Sequence, residues 1–128
     1  MFFLNIRSRL VYSYQLIHRH ETKITQEFLS KGANIQGLTI HGVKSADITK
    51  RTPTFCLTMK GLTAGQLAQQ LVNRGIAAGA GHFYAIDFPK RMGLDGGFTR
   101  VGFFHYNTLT EVKRVLTALE DISDELSK

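Results

Sequence analysis

The feature that most constrains this chain is residues 99 to 116, Thr-Arg-Val-Gly-Phe-Phe-His-Tyr-Asn-Thr-Leu-Thr-Glu-Val-Lys-Arg-Val-Leu. Its first half alternates as a strand. Val101 and Phe103 fall on one face, and Arg100, Gly102 and Phe104 fall on the other. Its second half is a helix start. Thr108 and Glu111 have the spacing of a capping box, and Val112, Val115, Leu116, Leu119, Ile122 and Leu126 then recur on one helical face. The last turns of that helix are acidic, which opposes the helix dipole and predicts a frayed end. A strand feeding a capped amphipathic helix must bury one face of each, so the chain needs a sheet with helices laid on it.

The remaining elements agree with that demand. Leu10, Tyr14, Ile17, Ile24 and Phe28 predict a helix over residues 10 to 30, with Gly32 as its stop. Leu38 to His41 alternate as a short strand, and residues 43 to 53 form a polar connection ending at Pro53. In the run Thr54 to Met59, Phe55, Leu57 and Met59 share one face. Thr63 and Gln66 form a first capping box, with Leu62 and Leu67 at staple positions and Gly75 as the stop after Arg74. The inner face of that helix reads as Leu67, Leu71 and Val72. Ile76 to Ala78 read as a short extended run, Gly79 to Gly97 as a long loop rich in glycine and aromatics, and Thr99 to Phe104 as the last strand. The predicted class is α+β, a small, mostly antiparallel sheet covered by helices on one face. At 128 residues the chain is one domain able to bury its own core.

Composition removes several functions. No apolar run approaches the ~18 residues that span a bilayer. The opening Met-Phe-Phe-Leu-Asn-Ile-Arg is too short for a signal peptide, so the expectation is a cytoplasmic protein. One cysteine, Cys56, forms no internal disulfide, and its place among hydrophobic neighbours predicts a buried, unreactive thiol. The net charge of +6 arises in residues 1 to 60, with nine Lys/Arg against three acids. These basic residues are scattered and not interleaved with aromatics, which argues against a nucleic-acid surface. His18 and His20 point different ways on a helix. His41, His82 and His105 lie far apart with no zinc-type spacing, so no metal site is expected.

Three places carry possible chemistry. Arg100 points away from the core beside Gly102, and a guanidinium fork there is able to grip a carboxylate with two parallel hydrogen bonds. Spacing alone fits an ordinary surface arginine as well. His82 and Tyr84 are polar enough to line a site, although a loop packing aromatics over the sheet fits equally. Gly79-Ala80-Gly81 lacks the sequel of a dinucleotide fingerprint and reads as a turn with a close backbone approach.

Arg51-Thr-Pro-Thr-Phe55, Leu67 through Ile76, Gly81-His-Phe-Tyr-Ala85, Arg100-Val-Gly102 and His105-Tyr-Asn-Thr108 followed by Glu111-Val112 occur in that order. In this series the chain resembles the C-terminal small domain of class V aminotransferases, in their cysteine desulfurase-like branch. The resemblance covers residues 10 to 128, and residues 1 to 9 match nothing. It implies fold type I, pyridoxal phosphate in the intact parent enzyme, and a homodimer with sites between large and small domains. It further implies an amino-acid substrate whose α-carboxylate Arg100 would bind. Desulfurases of this type carry Gly-His-x-Cys where this chain has Gly81-His82-Phe83-Tyr84, and tyrosine forms no persulfide. The family's Schiff-base lysine belongs to the large domain, and no lysine here follows a histidine. The expectation is therefore a domain fragment without its catalytic half, holding no cofactor and inactive by itself. Apolar surface meant for the large domain would be left bare, the first helix included. The competing reading is a free-standing α+β module that binds a small anionic ligand or a protein partner through Arg100 and the 79 to 97 loop.

Overall fold

The computed structural model describes residues 5 to 128, so the first four residues of the unmatched N-terminal segment lie outside it. The chain runs α1 (Ile6–Gly32), β1 (Leu38–His41), β2 (Thr54–Met59), α2 (Ala64–Asn73), β3 (Gly79–Gly81), α3 (Asp87–Arg91), β4 (Phe98–Gly102) and α4 (Leu109–Leu126). The four strands form one sheet in the order β1-β2-β4-β3, and all three pairings are antiparallel. The fold is α+β.

Strand alternation sorts the sheet into two faces. Ile40, Phe55, Leu57, Met59 and Val101 are buried, together with Phe103 just past the end of β4. They meet Ile24 and Phe28 of α1, Leu67 and Leu71 of α2, and Val112, Leu116, Leu119 and Ile122 of α4. Phe28 and Phe55 stack with centroids 4.1 Å apart, and Phe103 closes on both at 5.7 and 6.1 Å. Thr99, fully buried, donates its hydroxyl to the Ala64 carbonyl at 2.7 Å and so ties β4 to the start of α2.

The capping signals are realised. In α2, Thr63 Oγ1 accepts from the Gln66 N–H at 3.2 Å, and Gln66 Oε1 accepts from the Thr63 N–H at 2.8 Å. Gly75 ends this helix at φ +74°, with the Gly75 N–H donating to Val72 and the Ile76 N–H to Leu71. These are the two bonds of a Schellman motif, and the buried Ile76 and Leu71 supply its hydrophobic contact. In α4, the Thr108 N–H donates to Glu111 Oε2 at 2.6 Å, and the Thr108 hydroxyl accepts from the Glu111 N–H at 3.2 Å. The hydrogen bonds from the Thr108 backbone and hydroxyl hold the Glu111 carboxyl below the usual glutamate range. Because the folded value is depressed, this support is present above the ordinary glutamate value. It is lost as pH falls through the folded one. The thermal midpoint should therefore drop on acidification with a steeper slope in the wild type than in Glu111→Gln, whose amide keeps the same box as Gln66. Equal slopes would show that Glu111 adds nothing to the acid response.

Several expectations change. Gly32 does not stop α1 in a left-handed turn. It is the last helical residue, buried where an added Cβ would lie 2.8 Å from Ile40 Cδ1, so its role is close packing on β1. Val72 is 48% exposed, and the inner face of α2 is Leu67, Ala68 and Leu71. The strand expected at 76 to 78 lies instead at Gly79–Gly81, and the 79 to 97 stretch holds both β3 and α3. The last strand begins at Phe98 and ends at Gly102. The acidic end of α4 stays helical through Leu126.

Helix α1 outruns the core. Its buried residues begin at Ile24, whereas Ile6, Leu10, Val11, Tyr14 and Leu16 are all exposed. The helix spans ~40 Å, and its first half has an apolar face with no counterpart in the described residues.

Candidate functional site

The sheet face away from the long helices carries the polar groups. Strand register sets His41 opposite Cys56, Cys56 opposite Arg100, and Arg100 opposite Gly79. Four residues separated by up to 59 positions therefore form one row across all four strands. The three side chains of the row share a face with Thr54, Thr58 and Gly102.

Arg100 is exposed at the centre of this face. Its guanidinium carbon lies over the Phe83 ring, 3.9 Å from the centroid. Among the described residues no carboxylate pairs with Arg100, and no acceptor takes a hydrogen bond from it. A guanidinium covered on one face by an aromatic ring still has its in-plane donors available, which suits a planar, two-oxygen acceptor.

Cys56 is half-buried on the open face and outside the hydrophobic core where the sequence placed it. Burial pushes its thiol up, against the smaller pull of the Arg100 and Arg51 charges. A thiol raised in this way remains protonated at neutral pH and is a weak nucleophile. His41 Nε2 lies 2.8 Å from Thr58 Oγ1, and burial, then the nearby Lys44 charge, push its imidazole below the ordinary histidine value.

Arg51 serves the backbone of the connection between β1 and β2. Its guanidinium donates to the carbonyls of Val43, Thr52 and Thr54 and lies 4.4 Å from the Phe55 centroid. The turn from Phe104 to Thr108 is fixed in a similar way. Asn107 Oδ1 accepts from the Phe104 N–H at 2.8 Å, and His20 Nε2 donates to the Asn107 carbonyl at 2.7 Å. These bonds dock the turn on α1 and leave Phe104 and Tyr106 stacked at 5.5 Å on the surface.

The loop after β3 places the other two expected residues unevenly. His82 Nδ1 accepts from the Tyr84 N–H at 3.0 Å, so this imidazole organises the turn. Tyr84 is 96% exposed. Phe83, the residue between them, is the one that reaches Arg100. Sequence reading missed it, although the aromatics at 83, 88 and 98 bracket the loop. Phe83 stacks on Phe98 at 5.8 Å, and Phe88 meets Phe98 edge-on at 5.9 Å, so the loop does pack aromatics over the sheet. Gly79–Gly81 is an edge strand and not a turn, but the close approach expected there is real, since Gly97 lies against the Gly81 backbone.

A cleft of about 800 Å³ lies between α1, β1 and residues 44 to 47, but none of its lining residues belongs to β4 or to the 82 to 97 loop. Among the described residues no group of three or more His, Cys, Asp or Glu is placed to hold a metal. Among the described residues no helix is long and apolar enough to cross a membrane.

Residues 9 to 115 match the profile of the family described as Aminotransferase class-V. The chain belongs to the class-V aminotransferase family. Among curated relatives, it is 33% identical to the aminotransferase-like protein FGM3 of Gibberella zeae, over 84% of this chain and 28% of that protein. It is 25% identical to a probable cysteine desulfurase of Staphylococcus epidermidis, over 89% of this chain and 27% of that protein. Among solved structures, a cysteine desulfurase from Thermococcus onnurineus superposes with a TM-score of 0.80 at 22% identity, over 92% of this chain and 29% of the other. The cysteine desulfurase CsdA of Escherichia coli gives 0.69 at 21% identity, over 85% and 25%. The structural likeness establishes a shared fold. The chain spans less than a third of the length of the curated relatives it matches.

Proposed function

We propose that this chain is the C-terminal small domain of a pyridoxal phosphate-dependent class-V protein, and that Arg100 receives the α-carboxylate of an amino-acid substrate. The observation that carries this reading is Arg100 itself. It is an exposed guanidinium over an aromatic ring, on the open face of the sheet, with no acceptor among the described residues. An arginine kept for structure uses its donors, as Arg51 does on three carbonyls.

The rest of the site would come from the two thirds or more of the class-V relatives that this chain does not match. The neighbours of Arg100 are Cys56, Gly79 and Phe83, with no lysine among them. The described residues around Arg100 do not make a cradle for pyridoxal phosphate. The apolar first half of α1 supports a large-domain partner, because it offers a surface that a second body would cover. Homodimer formation and a cytoplasmic setting belong to the same reading. Tyr84 in place of the sulfur-carrying cysteine argues for chemistry other than desulfuration.

The test is an NMR titration of the chain, labelled with ¹⁵N at arginine, with L-alanine as the amino-acid probe. The Arg100 Nε–H signal should move and saturate at a concentration on the order of millimolar or higher, since one exposed clamp provides little affinity. In uniformly ¹⁵N-labelled chain the accompanying backbone-amide shifts of Thr99 to Val101 should be lost in Arg100→Lys, which keeps the charge and removes the fork. A wild-type Arg100 signal that stays still, or equal backbone-amide shifts in Arg100→Lys, would reject the assignment.

A further inference from the structure

We infer that Phe83 is a positioning residue for Arg100, an aromatic platform that fixes the guanidinium so that its donor edge is presented to a carboxylate. The inference rests on the reading of Arg100 given above and extends it to a residue outside the expected site.

Three independent features place this ring. The backbone at the ring and just after it is forced, because Phe83 and Tyr84 both occupy the left-handed region, at φ 49° and 65°. Two successive non-glycine residues are seldom found there, and the turn persists because His82 holds it through the Tyr84 N–H on Nδ1 and the Ala85 N–H on its carbonyl. The sheet beneath is cleared for it. A Cβ on Gly79, the register partner of Arg100, would lie 3.2 and 3.3 Å from two atoms of the Phe83 ring. The ring is also braced from the side by Phe98, which shares the open face with Arg100 two residues along β4, and Phe98 is braced in turn by Phe88. Turn, bare glycine and aromatic brace converge on one outcome, a ring held under a guanidinium that makes no hydrogen bond or ion pair among the described residues.

The physical consequence is preorganisation. An exposed arginine samples many rotamers, and a ligand must bear the entropy of fixing one of them. A ring on one face restricts the guanidinium plane and leaves its edge open, which lysine or a free arginine would not reproduce.

The experiment uses the same ¹⁵N-arginine spectra with Phe83→Leu, Phe83→Tyr and Gly79→Ala. Without ligand, the wild-type Arg100 Nε–H should carry a ring-current displacement that Phe83→Leu abolishes and Phe83→Tyr retains. Gly79→Ala should change it by pushing the ring outward, at a glycine whose backbone any residue adopts. Affinity for L-alanine should fall about two- to fivefold in Phe83→Leu, the size expected from an exposed cation–π contact, and should recover in Phe83→Tyr. A ligand-free signal unchanged in Phe83→Leu would overturn the inference, as would a wild-type response to L-alanine undiminished in that variant. A wild type that ignores L-alanine altogether would instead overturn the carboxylate reading of Arg100, whatever the Phe83 variants do.

Discussion

Replacing Phe55 with alanine is expected to lower the unfolding free energy by about 3–5 kcal/mol, among the larger effects a single core truncation produces. Phe55 is fully buried and sits where three parts of the chain meet. It stacks on Phe28 of α1, touches Phe103 beyond β4, and supports the Arg51 guanidinium on its other side. Removing the ring opens a cavity between α1 and the sheet, and the stiff neighbouring rings cannot collapse into it. It also withdraws the surface on which Arg51 rests, and with it the order of the 43 to 54 connection. Small domains hold only about 5–15 kcal/mol in total, so the variant should have a sharply lower urea midpoint. Phe55→Leu, which refills much of the space, should recover more than half of the loss. A loss below ~1 kcal/mol in Phe55→Ala would mean that this aromatic cluster is not the centre of the core.

Gly97→Ala is the second large effect, expected to cost about 3 kcal/mol or more although it adds a single methyl group. Gly97 has φ +76°, a conformation that disfavours any side chain. Its missing Cβ also points into the sheet. A carbon there would overlap the carbonyl of Gly81 and lie 2.9 Å from the Gly81 Cα. Backbone cannot move aside as a side chain does, so β3 should separate from β4 at the Gly81–Phe98 pair. Amide exchange should accelerate across residues 79 to 83 and remain slow in β2. Uniform acceleration over the whole sheet would instead mean that β3 is not a separable edge. Gly97→Ala and Phe55→Ala thus probe different layers, the edge of the sheet and its buried face.

These two residues were not equally visible in advance. Phe55 stands in an alternating run, and the alternation of Thr54 to Met59 is enough to place it inward. The capping boxes at Thr63 and Thr108 were legible for the same reason. Their bonds join residues three apart, and local spacing encodes them fully. Gly97 carried no such mark. Its requirement comes from Gly81, which folds against it from across the β3–β4 pair. Strand β3 itself is Gly-Ala-Gly, with no side-chain pattern to read, and backbone pairing alone makes it a strand. Val72 was misplaced because it is the bulkier neighbour of the stripe, whereas the helix turns Ala68 inward beside Leu67 and Leu71. Gly32 looked like a stop until the contact with Ile40 showed why the helix needs a bare position there. In the same way, the apolar spacing at Leu10 and Tyr14 is genuine, but periodicity does not reveal whether a partner lies opposite.

The sequence alone determined the class of the fold, the faces of β2 and β4, both capped helices and the outward direction of Arg100. These follow from periods of two and 3.6 residues and from hydrogen bonds between near neighbours, all of which are local. The tertiary structure decided what surrounds that arginine. Register aligns His41, Cys56, Arg100 and Gly79 in one row, and a left-handed turn folds Phe83 back against Arg100 and Gly79. Those contacts join residues up to 59 positions apart through backbone pairing, which constrains distance in space and leaves no periodic trace in the chain.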